Sequence, residues 1–292
     1  MTGWWFPAIG RGRVAALRLI AYVFIPFDVL VTTSWVGRHG DVGVALYRPL
    51  VLDRLLHLPV PTPTVVTSVR LALLLATAAA LAAGFSRSDR AVRASGVTVA
   101  ALYLWWMLIA MSFGKVDHDR FGFLLLLFVL PTVGVARLGD RTPSAAAGWA
   151  VRMVQVGAVA TYFLAAWAKL RIGGWGWVNG ATLAWAIVRR GTWFSHWMLR
   201  VPWFLRALQW LMVIGELSSP LLFAVRRQRT LVAIVVGLFV FHILTFAAIS
   251  IIFLPHLVAL TSFLPLEDAG LRFGRADLRQ RPRSADGRLL RS

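Results

Sequence analysis

Long apolar segments separated by short polar ones dominate the pattern of this chain. Each apolar segment holds about 20 residues, enough for an α-helix to cross the roughly 30 Å hydrocarbon core of a bilayer. The pattern predicts eight membrane spans, at 14–36, 64–84, 94–113, 120–137, 148–169, 204–224, 230–249 and 250–266. The last two come from one continuous apolar run, in which Pro255 is expected to break the helix.

The composition supports a membrane protein. The chain is 59% hydrophobic and 15% charged, whereas about a quarter of the residues of a soluble domain are charged. We therefore expect an all-α, polytopic transmembrane helical bundle, integral to the plasma (inner) membrane, with the lipid bilayer as its first partner. The bundle is predicted to form one domain, 14–266, between a cytoplasmic N-terminus, 1–13, and an Arg-rich, disordered cytoplasmic tail, 267–292.

The distribution of charge predicts the topology. The formal net charge is +19, and the basic residues concentrate in alternate connections and in the tail, which favours a cytoplasmic location for both termini. Topology and anionic lipid headgroups account for this charge, so nucleic acid is not an expected partner. The Trp-rich segment 171–203 then lies on the outer side, where it is predicted to form an interfacial rim or lid.

One lysine is unusual in its setting. The chain has 31 basic residues, and only Lys115 and Lys169 are lysines. Lys169 ends the apolar run TYFLAAWAKL. Partial desolvation weakens the charged form of a lysine at a helix end, so that it can act as a base, which an arginine cannot do. The alternative is a side chain that only reaches towards the lipid headgroups.

Two further groups of polar residues could carry chemistry. His118 lies between two aspartates, Asp117 and Asp119, in KVDHDR; this arrangement suits proton transfer, although a solvated loop would have the same composition. Other ionisable residues lie within or beside apolar runs, where such groups face a partner or a cavity. They are Glu216, His242 and His256. The chain has no cysteine, and a single histidine beside two aspartates does not make a zinc site, so no metal is expected.

Several segments resemble, in order along the chain, the membrane domain of vitamin-K-dependent γ-carboxylases, called the HTTM domain. The segment that contains Lys169, YFLAAWAKL, is similar to the family's YFIAGxKKL, whose lysine is held to be the catalytic base. The other similar segments are DHDRFGFLLLLF (117–128), RRGTWFS (189–195), GELSSPLLF (215–223) and FVFHIL (239–244).

The resemblance implies a function and a set of site residues. A lysine base, here Lys169, would deprotonate a reduced naphthoquinone (vitamin K or menaquinone), and the oxidised product would drive carboxylation of a glutamate in a secreted peptide or protein. Catalytic roles would fall on Lys169, His118 and His242. Cofactor-binding roles would fall on Asp117, Tyr162, Trp167, Glu216 and His256.

The chain also departs from that family. Ala168 and Lys169 stand where the family has two lysines, and the large luminal domain is not present after residue 266. Three alternatives therefore stay open beside the enzyme. They are a non-catalytic HTTM protein that aids maturation, export or immunity of a secreted peptide, a redox accessory protein of the DoxX or MauE type, and a transporter.

Overall fold

The computed structural model describes residues 2–268. The helices within this range are α1 Thr2–Trp5, α2 Arg11–Phe27, α3 Val51–Leu55, α4 Pro63–Ala83, α5 Asp89–Met111, α6 Phe121–Val129, α7 Ala145–Gly173, α8 Ala181–Arg190, α9 Trp193–His196, α10 Pro202–Leu217, α11 Gln228–Ile249 and α12 Leu254–Leu260. Two short strands, β1 Ile9–Gly10 and β2 Pro143–Ser144, pair antiparallel.

Five helices are long and apolar enough to cross a membrane. They are Arg11–Thr32 (α2 with a π-helical extension), α4, α5, α7 and α11. They correspond to five of the predicted spans, with ends that differ by a few residues. The all-α class and the membrane character expected from the sequence are therefore confirmed at this level.

The predicted count of eight full spans is not confirmed. The segment 120–137 forms the nine-residue α6 and a 3-10 turn, Leu130–Thr132. The segment 204–224 forms the 16-residue α10 and a 3-10 extension, and the segment 250–266 contains a short apolar helix, Leu254–Phe263. At 1.5 Å per residue, α6 rises only about 14 Å, roughly half of the hydrocarbon core.

Side chains and glycine conformations set several helix ends. Thr62, Ser88 and Ser144 each accept a hydrogen bond from a backbone N–H in the first turn of α4, α5 and α7, the usual role of an N-cap. Gly174, with φ of +60°, follows the last residue of α7 and lets the chain leave the helix. This exit directs the Trp-rich segment back over the end of α7.

Both ends of the described chain lie at the same end of the bundle. The strand β1 precedes α2 and pairs with β2 before α7. Arg13 in the first turn of α2 donates two hydrogen bonds to Glu267, at 2.5 and 2.7 Å. The predicted Arg-rich tail spans 267–292. Its first two residues, Glu267 and Asp268, form ion pairs with Arg13 and Arg141, and the remainder lies outside the described residues.

A buried ion pair joins three parts of the bundle. Asp28 is fully buried at the end of α2, and its carboxylate accepts hydrogen bonds from Arg120 and from Tyr103 of α5, both at 2.8 Å. The Arg120 guanidinium also donates to the Tyr103 hydroxyl at 2.9 Å. Thr32 donates to the second carboxylate oxygen of Asp28. The turn His118–Arg120, just before α6, is thereby fixed inside the bundle.

Close helix packing sets the height of that turn. A Cβ at Gly122 would meet the Ala259 Cβ at 3.2 Å and the Ala158 Cα at 3.7 Å, so a larger residue would push α12 away by a few tenths of an ångström. Ala158 is near the middle of α7. The segment that links α5 to α6 therefore descends from the end of α5 to about half the height of α7.

The Trp-rich segment forms a small helical layer of its own. Between α7 and α10 it consists of a 3-10 turn, Trp175–Asn179, followed by α8 and α9. Its core joins Ile187, Met198 and Leu205 to Ile249 at the end of α11. Exposed tryptophans surround this core, namely Trp175, Trp185, Trp193, Trp197 and Trp203. Exposed indoles of this kind are typical of the headgroup level.

We expect Asp28→Asn to destabilise the fold strongly. The substitution leaves the buried Arg120 guanidinium without its counter-charge, and breaking a buried ion pair in this way costs about 3–5 kcal/mol. The change is measured as a lower midpoint of thermal unfolding in detergent, followed by tryptophan fluorescence.

Asp117→Asn is the matched control. It removes a carboxylate whose partner, Lys115, is exposed to solvent, and the expected cost of losing such a pair is about 1 kcal/mol. Equal stability of the two variants would contradict a structural role for the Asp28–Arg120 pair.

Candidate functional site

An apolar groove of about 720 Å³ runs along the C-terminal half of α7. One wall is a single face of α7, with Ala160, Thr161, Leu164, Ala165, Ala168, Lys169, Ile172 and Gly173, spaced as neighbours on a helix surface. The other wall is formed by Val116, His118 and Phe121 before and at the start of α6, and Trp177 closes one end. From Ala160 to Gly173 the groove follows α7 for about 20 Å.

An ion pair stands at the end of the groove near Trp177. The Lys169 ammonium donates to both carboxylate oxygens of Glu216 on α10, at 2.5 and 2.7 Å. The Lys169 Nζ also lies 5.4 Å from the centre of the Trp177 ring, within the range of a cation–π contact. Both charged side chains are largely shielded from solvent. In this geometry the amine already has a counter-charge, so the group that can accept a proton is the carboxylate.

His118 lies on the wall opposite Lys169. It is exposed to the groove, and it is near enough to Glu216 and His256 to interact electrostatically with both. Burial raises the pKa of the neighbouring Asp119, although Arg120 opposes this change. Asp117 does not line the groove; its carboxylate pairs with Lys115 at 2.7 Å.

Behind the groove, α7 contributes a tyrosine to a buried histidine pair. The Tyr162 hydroxyl is 2.6 Å from Nε2 of His242 on α11. The ring of His256 on α12 packs edge-on against Tyr162, with 4.5 Å between ring centres, and lies 5.6 Å from the ring of His242. The other ring nitrogens of this cluster, Nδ1 of His242 and both nitrogens of His256, have no hydrogen-bond partner among the described residues. Leaving a buried polar group unpaired costs about 1–3 kcal/mol.

The structure brings most of the residues implied by the resemblance into one region. Lys169 and His118 line the groove, and Glu216 is held against Lys169 at its end. The Tyr162 cluster lies directly behind the groove, with Tyr162 in electrostatic range of Glu216. Trp167 is placed elsewhere, since its side chain is 53% exposed and does not line the groove.

The buried network that holds one wall of the groove in place was not identified from the sequence. The Asp28–Arg120–Tyr103 network holds the turn that carries His118. A signal for it was present, because a carboxylate inside an apolar span requires a partner. Trp177 was expected only as one member of the interfacial rim, and its place beside Lys169 depends on the turn at Gly174.

We expect Ala168→Cys, in the groove, to react with a maleimide that does not cross membranes when it is added outside intact cells. The side chain at Ala168 is exposed in the groove, and the natural chain has no cysteine that would compete. The readout is the mass shift of the labelled protein.

Ala166→Cys, two residues away on the buried face of α7, is the control and should react only after denaturation. Failure of Ala168→Cys to react in the folded protein would show that the groove does not open to the outer side. Labelling of Ala166→Cys in the folded protein would contradict the burial of that face of α7.

Comparison with known proteins gives no relative for this arrangement: no protein-family model, no curated protein and no solved structure matches the chain.

Proposed function

We propose that this protein is a membrane enzyme that binds a reduced naphthoquinone in the groove and removes a proton from its hydroxyl group. The observation that carries the proposal is the Lys169–Glu216 ion pair at one end of an otherwise apolar groove. An ionised pair in such surroundings is costly to maintain, and functional sites are where such costs are commonly found.

The groove fits the chemical class of ligand. Its volume of about 720 Å³ is within the range of sites that hold a small organic molecule, about 300–1,000 Å³. Small side chains on α7, among them Ala160, Ala165 and Ala168, leave room beside the helix. The walls are mostly apolar, and the polar groups concentrate at Lys169 and His118. A lipid with one polar ring and an apolar tail matches this distribution.

The ion pair can take a proton and stabilise the charge that results. The Glu216 carboxylate accepts the hydroxyl proton of the ligand, and the Lys169 ammonium then faces the new oxyanion. Because the surroundings are apolar, the attraction between the ammonium and the oxyanion is stronger than it would be in water. His118, on the opposite wall, is placed to exchange a proton with the ligand or with water in the groove.

A reduced naphthoquinone supplies an ionisable hydroxyl and, once deprotonated, reacts with oxygen. By the resemblance, the later steps are epoxidation of the quinone and carboxylation of a secreted peptide that reaches the groove from the outer side. The proton transfer assigned to Glu216 precedes these steps and does not depend on the identity of the peptide.

A non-catalytic lipid-binding role is the second candidate. The observation that favours it is that Lys169 donates to both oxygens of Glu216, an arrangement that could hold a polar headgroup without any reaction. In that case the protein would present its groove and its Trp-rich helical layer to a partner that matures, exports or resists a secreted peptide.

We expect Glu216→Gln to lower quinone epoxide formation by about 100-fold or more, the size of a lost general base. Lys169→Arg should keep part of the activity, because an arginine can pair with Glu216 and carry the charge. The measurement uses protein in lipid nanodiscs with reduced menaquinone, oxygen and bicarbonate, and detects the epoxide by mass spectrometry.

Lys115→Arg is the matched control at the other lysine and should leave the rate unchanged. If Lys169→Arg were as inactive as Glu216→Gln, the lysine itself would be the base. If the wild-type protein bound the quinol saturably, as seen by quenching of tryptophan fluorescence, and yet formed no epoxide, the non-catalytic role would replace the enzyme.

A further inference from the structure

The polar residues on one face of α7 follow a regular spacing. Gln155, Tyr162 and Lys169 are seven residues apart and therefore lie on the same side of the helix, with about 10.5 Å between successive positions along its axis. Each contacts a different element: Gln155 donates to the Ser262 carbonyl oxygen after α12, Tyr162 contacts His242, and Lys169 pairs with Glu216.

The unpartnered buried polar atoms gather beside this face. Among the described residues, five buried side-chain atoms lack a hydrogen-bond partner. Four of them belong to His242, His256 and Ser262, which pack around Tyr162 and Gln155. His256 contributes two of these atoms although its side chain is only 2% exposed.

A neutral imidazole has one donor and one acceptor, so these atoms need partners of both kinds. Water supplies both, and buried water commonly bridges polar groups that the protein leaves unpaired. Successive polar residues on this face are about 10.5 Å apart, which is too far for a direct hydrogen bond, so a continuous path between them requires water.

We propose that Tyr162, His242 and His256 hold a short chain of internal water that carries protons from Glu216 at the groove, past Ser262 and Gln155, to the end of the bundle at Arg152, where bulk water takes them up. The proposal rests on the role of Glu216 given above, since a carboxylate that takes a proton from a ligand must release it before the next turnover. Tyr162 and the histidines can each donate and accept a proton. They are positioning and relay groups and do not contact the ligand.

Hydration of the histidine rings is tested by water-edited solid-state NMR of protein labelled with ¹⁵N-histidine in lipid bilayers. The chain has six histidines, and single His→Gln variants assign their signals. We expect the ring nitrogens of His242 and His256 to receive magnetisation from water as quickly as those of the exposed His57 and His196. Transfer as slow as that to the backbone amides of α12 would overturn the proposal.

The relay is tested by kinetics. Tyr162→Phe removes the hydroxyl and keeps the ring, and we expect it to lower kcat by about 10- to 100-fold with little change in KM. Phe163→Leu, at the next position on α7, is the matched control and should leave kcat unchanged. Equal kcat in Tyr162→Phe and the wild type would overturn the relay.

The two measurements separate this proposal from the preceding one. Rapid water transfer to the histidines together with no epoxide from any variant would support the internal water chain and contradict the proposed enzyme. Dry histidines in an active protein would contradict the water chain alone.

Discussion

The buried pair of Asp28 and Arg120 is the interaction on which the arrangement of the site depends. A carboxylate with no exposed surface is tolerated inside an apolar bundle only when a counter-charge and hydrogen bonds surround it. Tyr103 supplies one of those bonds. Because Arg120 lies beside His118 in a tight turn, satisfying Asp28 also determines where the wall of the groove can be.

The groove follows from this constraint together with the packing of α6. The turn before α6 is held at about half the height of α7, while α7 continues to Gly173. The C-terminal half of α7 consequently has no full-length helix beside it on that side, and the space becomes a groove lined by its small residues. A polar ring can reach Lys169 and Glu216 there without unfolding any helix.

Charge is unevenly distributed between the groove and the interior. At the end of the groove, Lys169 and Glu216 form an ion pair and neutralise each other's charge. Behind it, Tyr162, His242 and His256 form a polar cluster without a fixed charge partner among the described residues. A charged pair at the end of the groove thus lies beside a buried polar cluster, and this arrangement underlies both proposals made above.

The sequence by itself determined the helical class, the membrane character and the approximate positions of five long helices. The reason is that a run of about 20 apolar residues matches the thickness of the hydrocarbon core when it forms a helix. The sequence also singled out Lys169, Glu216, His118 and the two buried histidines as unusual, since ionisable groups are costly in apolar surroundings. Only the tertiary structure decided their partners. The pairing of Lys169 with Glu216, of Asp28 with Arg120 and of Tyr162 with His242 joins residues 47 to 92 positions apart, and no local pattern specifies such contacts. The apolar sequence alone suggested a full span at 120–137, whereas α6 ends at Val129, where Pro131 lies in a 3-10 turn and Arg18 donates to the Leu130 carbonyl oxygen at 2.7 Å.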